Sequence, residues 1–175
     1  MAKTVSGTGR VHLVIGPVGS GKSTFARGLC RERRAVRLTL DEWFRTLFSP
    51  DRPQEGWISW YVERAARCVQ QLWRTAQEIS ASGTEVVLEI GLLQRTEREQ
   101  FYALVEEAGV ELTVHVVDAP RDVRRERVLR RNLERGETFS MVVPPEVFEL
   151  VSDRWQPPDE DECARRQVLF VTSRG

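Results

Sequence analysis

Gly16-Pro17-Val18-Gly19-Ser20-Gly21-Lys22-Ser23 follows the pattern G-x-x-x-x-G-K-[ST] in full. These residue types at this spacing suit a chain of phosphates. Glycines let the backbone curl so that successive N–H groups point inward at phosphate oxygens. A helix expected to begin near Lys22 adds the positive end of its dipole. Lys22 is long enough to reach the β- and γ-phosphates of a nucleoside triphosphate, and a hydroxyl at Ser23 suits coordination of Mg²⁺. Gly16, Gly19, Ser20, Gly21, Lys22, Ser23 and the adjacent Thr24 are therefore the candidate nucleotide-binding residues, with ATP and Mg²⁺ as the expected ligands. The alternative is a glycine-rich strand-to-helix turn that binds nothing. In a chain of 175 residues a chance match is on the order of one in a hundred or rarer. The chain lacks N-K-x-D, so guanine selection of the GTPase kind has no support, and it lacks the L-S-G-G-Q signature of transport ATPases.

The elements that must position this loop follow from the hydrophobic pattern. Val11–Ile15 reads as a buried strand and 22–33 as the helix after the loop. A second strand is expected over 35–40, followed by a short helix with Asp41 at its N-cap. The stretch 49–56 is a loop by composition, and 57–80 carries apolar residues at helical spacing. Strands are expected at 84–90, 111–117 and 167–172. Helices are expected at 96–108 and 121–135, with a short one opened by Pro144 or Pro145, and 156–162 reads as a loop. Alternation of strands and helices implies an α/β fold, a parallel sheet with helices on both faces, in a single domain spanning 1–175.

Composition narrows the function. Lys plus Arg balances Asp plus Glu at 26 each, which disfavours a broad grip on nucleic acid. No apolar run approaches a membrane span, and Met1–Arg10 has no signal-peptide core. Three widely spaced cysteines, Cys30, Cys68 and Cys163, fit reduced thiols in a cytoplasmic protein. His12 and His115 both fall inside strand-like runs and read as strand residues rather than metal ligands.

Four segments in order resemble the small P-loop kinases of the AAA_33 type, the group that includes the polynucleotide kinase 5′-kinase domain, chloramphenicol phosphotransferase and zeta toxins. They are G-P-V-G-S-G-K-S-T-F-A-R at 16–27, L-D-E-W-F-R at 40–45, V-V-L-E-I at 86–90, and V-D-A-P at 117–120 with R-N-L-E-R-G at 131–136. The resemblance implies a five-stranded parallel sheet with a mobile lid, here about 120–137, and transfer of the γ-phosphate to a hydroxyl. It implies Asp41 as the general base, against the plain reading of Asp41 as a helix cap. Glu89 stands where the group more often has Asp. It would contact Mg²⁺ through water, or the acceptor, or be a strand-end carboxylate facing solvent. Asp118 looks superficially like a Walker-B acid, whereas the resemblance makes it a structural strand end.

Residues 121–135 hold seven arginines against three acids, and Arg124, Arg127, Arg131 and Arg135 share one helical face. Guanidinium groups suit triphosphate oxygens and transition-state charge, which makes Arg127, Arg131 and Arg135 candidate nucleotide ligands and Arg131 a catalytic one. Arg131 and Arg135 match the lid motif of the resemblance. The alternative is a solvated helix whose arginines pair with local acids. Trp43, Phe44, Trp57, Trp60 and Tyr61 lie where the group builds its acceptor site, with Trp57 the candidate for the pocket and Trp60 and Trp73 for packing. Arg45 and Arg95 are candidates for an acceptor phosphate, or plain surface charges. Three functions remain open: a kinase acting on a small-molecule hydroxyl, a 5′-hydroxyl polynucleotide kinase, and a non-catalytic nucleotide-dependent switch that binds a partner protein.

Overall fold

The structure, a computed structural model, describes residues 8–134 and 142–172. Five parallel strands form one sheet: β1 (Val11–Ile15), β2 (Val36–Thr39), β3 (Val86–Glu89), β4 (Leu112–Asp118) and β5 (Gln167–Thr172), in the order β2-β3-β1-β4-β5. The helices are α1 (Lys22–Arg33), α2 (Leu40–Leu47), α3 (Trp57–Ala81), α4 (Arg95–Glu107), α5 (Arg121–Glu134), α6 (Pro145–Asp153) and α7 (Glu160–Arg165). The inner strands are nearly unbroken apolar runs, as a sheet covered on both faces requires. Alternate side chains separate into two cores. Leu13, Ile15, Leu88, Val114 and Val116 meet Leu72, Trp73, Phe101 and Tyr102 of α3 and α4. On the other face Val14, Val87 and Val117 meet Ala26 and Leu29 of α1. β1 lies between β3 and β4, so the chain leaves the sheet centre in opposite directions, and the crevice at the carboxyl ends of β1 and β3 is where such sheets hold ligands.

Two local expectations are corrected. α2 begins at Leu40 with Thr39 as its N-cap residue, so Asp41 sits in the first turn and is not the cap. Thr39 is still extended, at φ −135 and ψ 131, and the strand runs into the helix without a loop. The stretch 156–162 is only partly loop. α7 starts at Glu160 because Asp159 caps it, its side chain accepting from the backbone N–H of Glu162 at 2.9 Å. The Glu162 carboxylate is fully buried and pairs with Arg98 of α4 at 2.7 Å, also fully buried. A segment that looks like a solvated acidic run therefore supplies an internal ion pair.

His12 and His115 lie on adjacent strands with Nδ1 of His12 3.0 Å from Nε2 of His115, while His12 Nε2 is 2.9 Å from Glu85. One bond between two rings accommodates one proton, so the pair resists double protonation. Burial, with His12 and then Arg33 adding to it, pulls His115 down to about 4. The unfolded chain therefore binds the extra proton first, and stability falls as the pH drops from about 6.5 to about 4. The expected loss is on the order of 3 kcal/mol across that window. Thermal melts across this range should show a shallower acid slope in His115→Gln than in wild type. Equal slopes would remove His115 as the cause. Among the described residues no helix is long and apolar enough to cross a membrane.

Candidate active site

The loop between β1 and α1 needs glycine for steric reasons that the structure makes explicit. A Cβ at Gly16 would lie 2.0 Å from the carbonyl oxygen of Val117, and Gly16 adopts φ 147. A Cβ at Gly19 would lie 2.6 Å from the carbonyl oxygen of Arg124, at φ 78. Gly21 is the N-cap residue of α1, left-handed at φ 96 and ψ 15. The N–H groups at the start of α1, from Lys22 onward, have no intrahelical acceptors, which suits them to an anion. Lys22 folds back on its own loop, its Nζ donating to the carbonyls of Gly16 at 2.9 Å and Pro17 at 2.8 Å. Its pKa is lowered to about 8, chiefly by burial, against the opposing pull of Asp41 and Glu89 and with a further push from Arg131 and Arg124. Among the described residues the Ser20 hydroxyl is buried without a partner.

Glu89 ends β3 and is buried at 7% exposure rather than facing solvent. It accepts from the Ser23 hydroxyl at 2.9 Å. Thr39 is paired with Glu89 across β2 and β3, which places Asp41, two residues on, at the same end of the sheet. Asp41 itself is exposed. Ser23 and Glu89 offer hard oxygen donors, and among the described residues no group of three or more His, Cys, Asp or Glu side chains gathers as a metal site. That donor set fits Mg²⁺, which keeps water and phosphate oxygens as its remaining ligands. Asp118 accepts from the backbone N–H of Ala119 at 2.7 Å and closes the end of β4.

The arginines of α5 divide into two groups. Arg124 is buried, not a lid residue: it donates to the carbonyls of Ala119 at 3.0 Å and Val18 at 3.1 Å and to the Ser152 hydroxyl at 3.1 Å. Arg121 binds Glu149 and Asp153, and Arg125 binds Glu149. These partners come from α6, more than twenty positions downstream, so the local excess of positive charge did not leave those arginines unpaired. Arg127 turns to the loop instead, Nη1 donating to the carbonyl of Ser20 at 3.4 Å. Arg131 is held close enough to feel the charge of Asp41, with its Nε buried and unpartnered among the described residues. Burial lowers its pKa, offset in part by Asp41. Arg135 and the end of the expected lid lie outside the described residues.

On the acceptor side Phe44 of α2 packs on Tyr61 at 4.6 Å and edge-on to Trp60 at 5.6 Å between centroids. Trp73 is core, against Phe101 at 5.2 Å. Trp57 is 37% exposed under the guanidinium of Arg52, 4.4 Å from its centroid. Tyr61 is pushed up to about 12 by burial, then by the Asp41 and Cys68 charges, so its phenol is a neutral donor near Asp41. Arg95 is bound to Asp159 and Asp161 and anchors α7. Arg37 has no place in the sequence reading, yet it binds Glu89. Its partner is 52 positions away, and no local pattern announces it.

Residues 11–158 match the AAA_33 family, described as an AAA domain. No curated protein sequence matches the chain. Among solved structures it resembles a candidate kinase from Chloroflexus aurantiacus, at TM-score 0.72 and 22% identity over 95% of this chain and 86% of that one. It also resembles Kti12 of Chaetomium thermophilum in complex with ADP-AlF3, at TM-score 0.68 and 19% identity, covering 93% and 88% of the two chains. A third is the Mycobacterium tuberculosis APS kinase CysC in complex with AMPPNP and APS, at TM-score 0.63 and 17% identity over 95% and 89%. At such identities the likeness is one of fold. A match that begins with β1 and runs to the residues just before α7, on this five-stranded parallel order, shows that the chain belongs to the AAA_33 family.

Proposed function

We propose that the chain transfers the γ-phosphoryl group of ATP to a hydroxyl of a small molecule. The observation that carries this reading is the meeting of Ser23 with Glu89 at 2.9 Å, one strand from Asp41, at the carboxyl ends of β1, β2 and β3. A phosphate loop, a metal-suited pair and an exposed carboxylate then share one crevice. The loop and the N-terminus of α1 hold the phosphates. Lys22 exchanges its two loop carbonyls for phosphate oxygens. Ser23 and Glu89 would hold Mg²⁺, which would supply neutralising charge for the phosphates. Asp41 accepts the proton of the acceptor hydroxyl as its oxygen bonds to the γ-phosphorus. The bond from that phosphorus to the β-bridging oxygen breaks, and ADP leaves. Arg131, whose Nε has no protein partner among the described residues, offsets charge on the transferring group.

On α2 and α3, the helices between β2 and β3, the apolar residues Leu47, Trp57, Ile58 and Val62 are exposed. With the balanced charge of the chain this favours a compact, uncharged or weakly charged acceptor over a polynucleotide. The reading is tested by ADP formation in Mg²⁺-ATP. The expected result is a slow basal rate that an acceptor raises at least tenfold, the range over which a positioned hydroxyl outcompetes water. A rate that no hydroxyl compound changes would count against it.

A further inference from the structure

Arg37 stands on β2 facing the same side as Glu89, opposite to Leu38, which is buried in the other core. Its Nη1 donates to Glu89 Oε1 at 2.8 Å, and its Nη2 binds Oε1 of Glu42. The second Glu89 oxygen accepts from Ser23 at 2.9 Å. Ser23, Glu89, Arg37 and Glu42 thus form one polar chain. It runs from the phosphate loop to the residue beside Asp41. The Glu89 and Arg37 side chains are 7% and 16% exposed, so the carboxylate is largely withdrawn from water and needs a cation beside it.

We propose that Arg37 is a positioning residue that serves as the resident counter-cation of Glu89 and competes with the divalent metal for it. The inference rests on the metal role given to Ser23 and Glu89 above. When Ser23 turns to a metal it releases one Glu89 oxygen, and Arg37 keeps the other. The same guanidinium sets a positive charge 2.8 Å from a Glu89 oxygen, and that charge would lower the affinity of the carboxylate for a divalent cation by repulsion. Glu42, 44% exposed, offsets part of that charge. Arg37 in this way ties the metal side of the crevice to the turn that carries Asp41.

The test is Mn²⁺ binding in the presence of a non-hydrolysable ATP analogue, read from the loss of the free-ion electron paramagnetic resonance signal. Removing the competitor in Arg37→Met should tighten Mn²⁺ binding about threefold to tenfold. Arg37→Lys keeps the charge and should stay within about twofold of wild type. Glu42→Gln leaves Arg37 less neutralised and should weaken binding about twofold to threefold. Circular dichroism on the same samples reports folding, and Glu42→Gln carries the test alone if Arg37→Met does not fold. Opposite signs for the two variants support the proposal, since a purely structural role would weaken both. Weaker or unchanged Mn²⁺ binding in folded Arg37→Met, with the analogue still bound, overturns it. So does unchanged or tighter binding in Glu42→Gln. A wild-type protein that fails to bind the analogue at all overturns the phosphate-site reading and this proposal with it.

Discussion

Asp41→Asn is expected to slow phosphoryl transfer by about 10²–10⁴ while Mg²⁺-ATP affinity stays within about threefold of wild type. In the proposed reading the loop, Lys22, Ser23 and Glu89 would hold the nucleotide, and the bonds that preset Lys22 and Ser23 do not involve Asp41. What the substitution removes is the acceptor for a proton. Asparagine has nearly the same shape but cannot take a proton from a hydroxyl at neutral pH. Asp41 lies in the first turn of α2, where a carboxylate is also favoured by the helix dipole. Its loss therefore costs a few tenths to about 1 kcal/mol of stability, too little to explain a rate loss of that size. Single-turnover transfer, with binding measured on the same sample, separates the two effects. Transfer at the wild-type rate would show that Asp41 is not the base.

Lys22→Ala should act on both binding and transfer, and the combined loss should be the largest of any single change. In the free protein the ammonium is satisfied by the carbonyls of Gly16 and Pro17 and is pulled down to about 8, mainly by burial. Phosphate oxygens replace neutral acceptors with charged ones, which strengthens each bond about twofold. Without the ammonium, the charge on the transferring group loses a preorganised partner, a kind of loss that costs about 10²–10³ in rate. Nucleotide affinity should fall roughly tenfold or more, in line with the loss of a charge-assisted bond. Calorimetric titration of Mg²⁺-ATP checks the binding half. Unchanged affinity would mean that Lys22 points elsewhere when nucleotide is present.

The parts of the site that were legible in the sequence are those whose chemistry is local. The phosphate loop carries its own glycines, and the structure shows why: Gly16 and Gly19 each meet a backbone carbonyl where a Cβ would stand. The parallel sheet follows from strands and helices in alternation, and each strand lies where one was expected. What could not be read depends on partners far along the chain. Arg124 looked like its neighbours on α5, yet its contacts with Val18 and Ser152 turn it into a strut between the loop and α6. Glu162 looked like loop charge, yet it closes an internal pair with Arg98, 64 positions away. Arg37 carried no motif at all. Each of these is a charge whose burial is decided by tertiary packing, and periodicity does not report that.

The most direct test of the central claim is mass spectrometry of a pooled acceptor library after incubation with Mg²⁺-ATP, with Lys22→Ala protein as the control. The pool would hold nucleosides, short 5′-hydroxyl oligonucleotides, sugars, amino-sugar nucleotides and hydroxyl-bearing antibiotics. The account predicts a small-molecule species heavier by one phosphoryl group, formed by wild type and not by the variant. A product found only on the oligonucleotides would contradict the small-molecule acceptor. No phosphorylated species at all, with ATP bound by the same sample, would contradict phosphoryl transfer and leave a protein that binds nucleotide without passing it on.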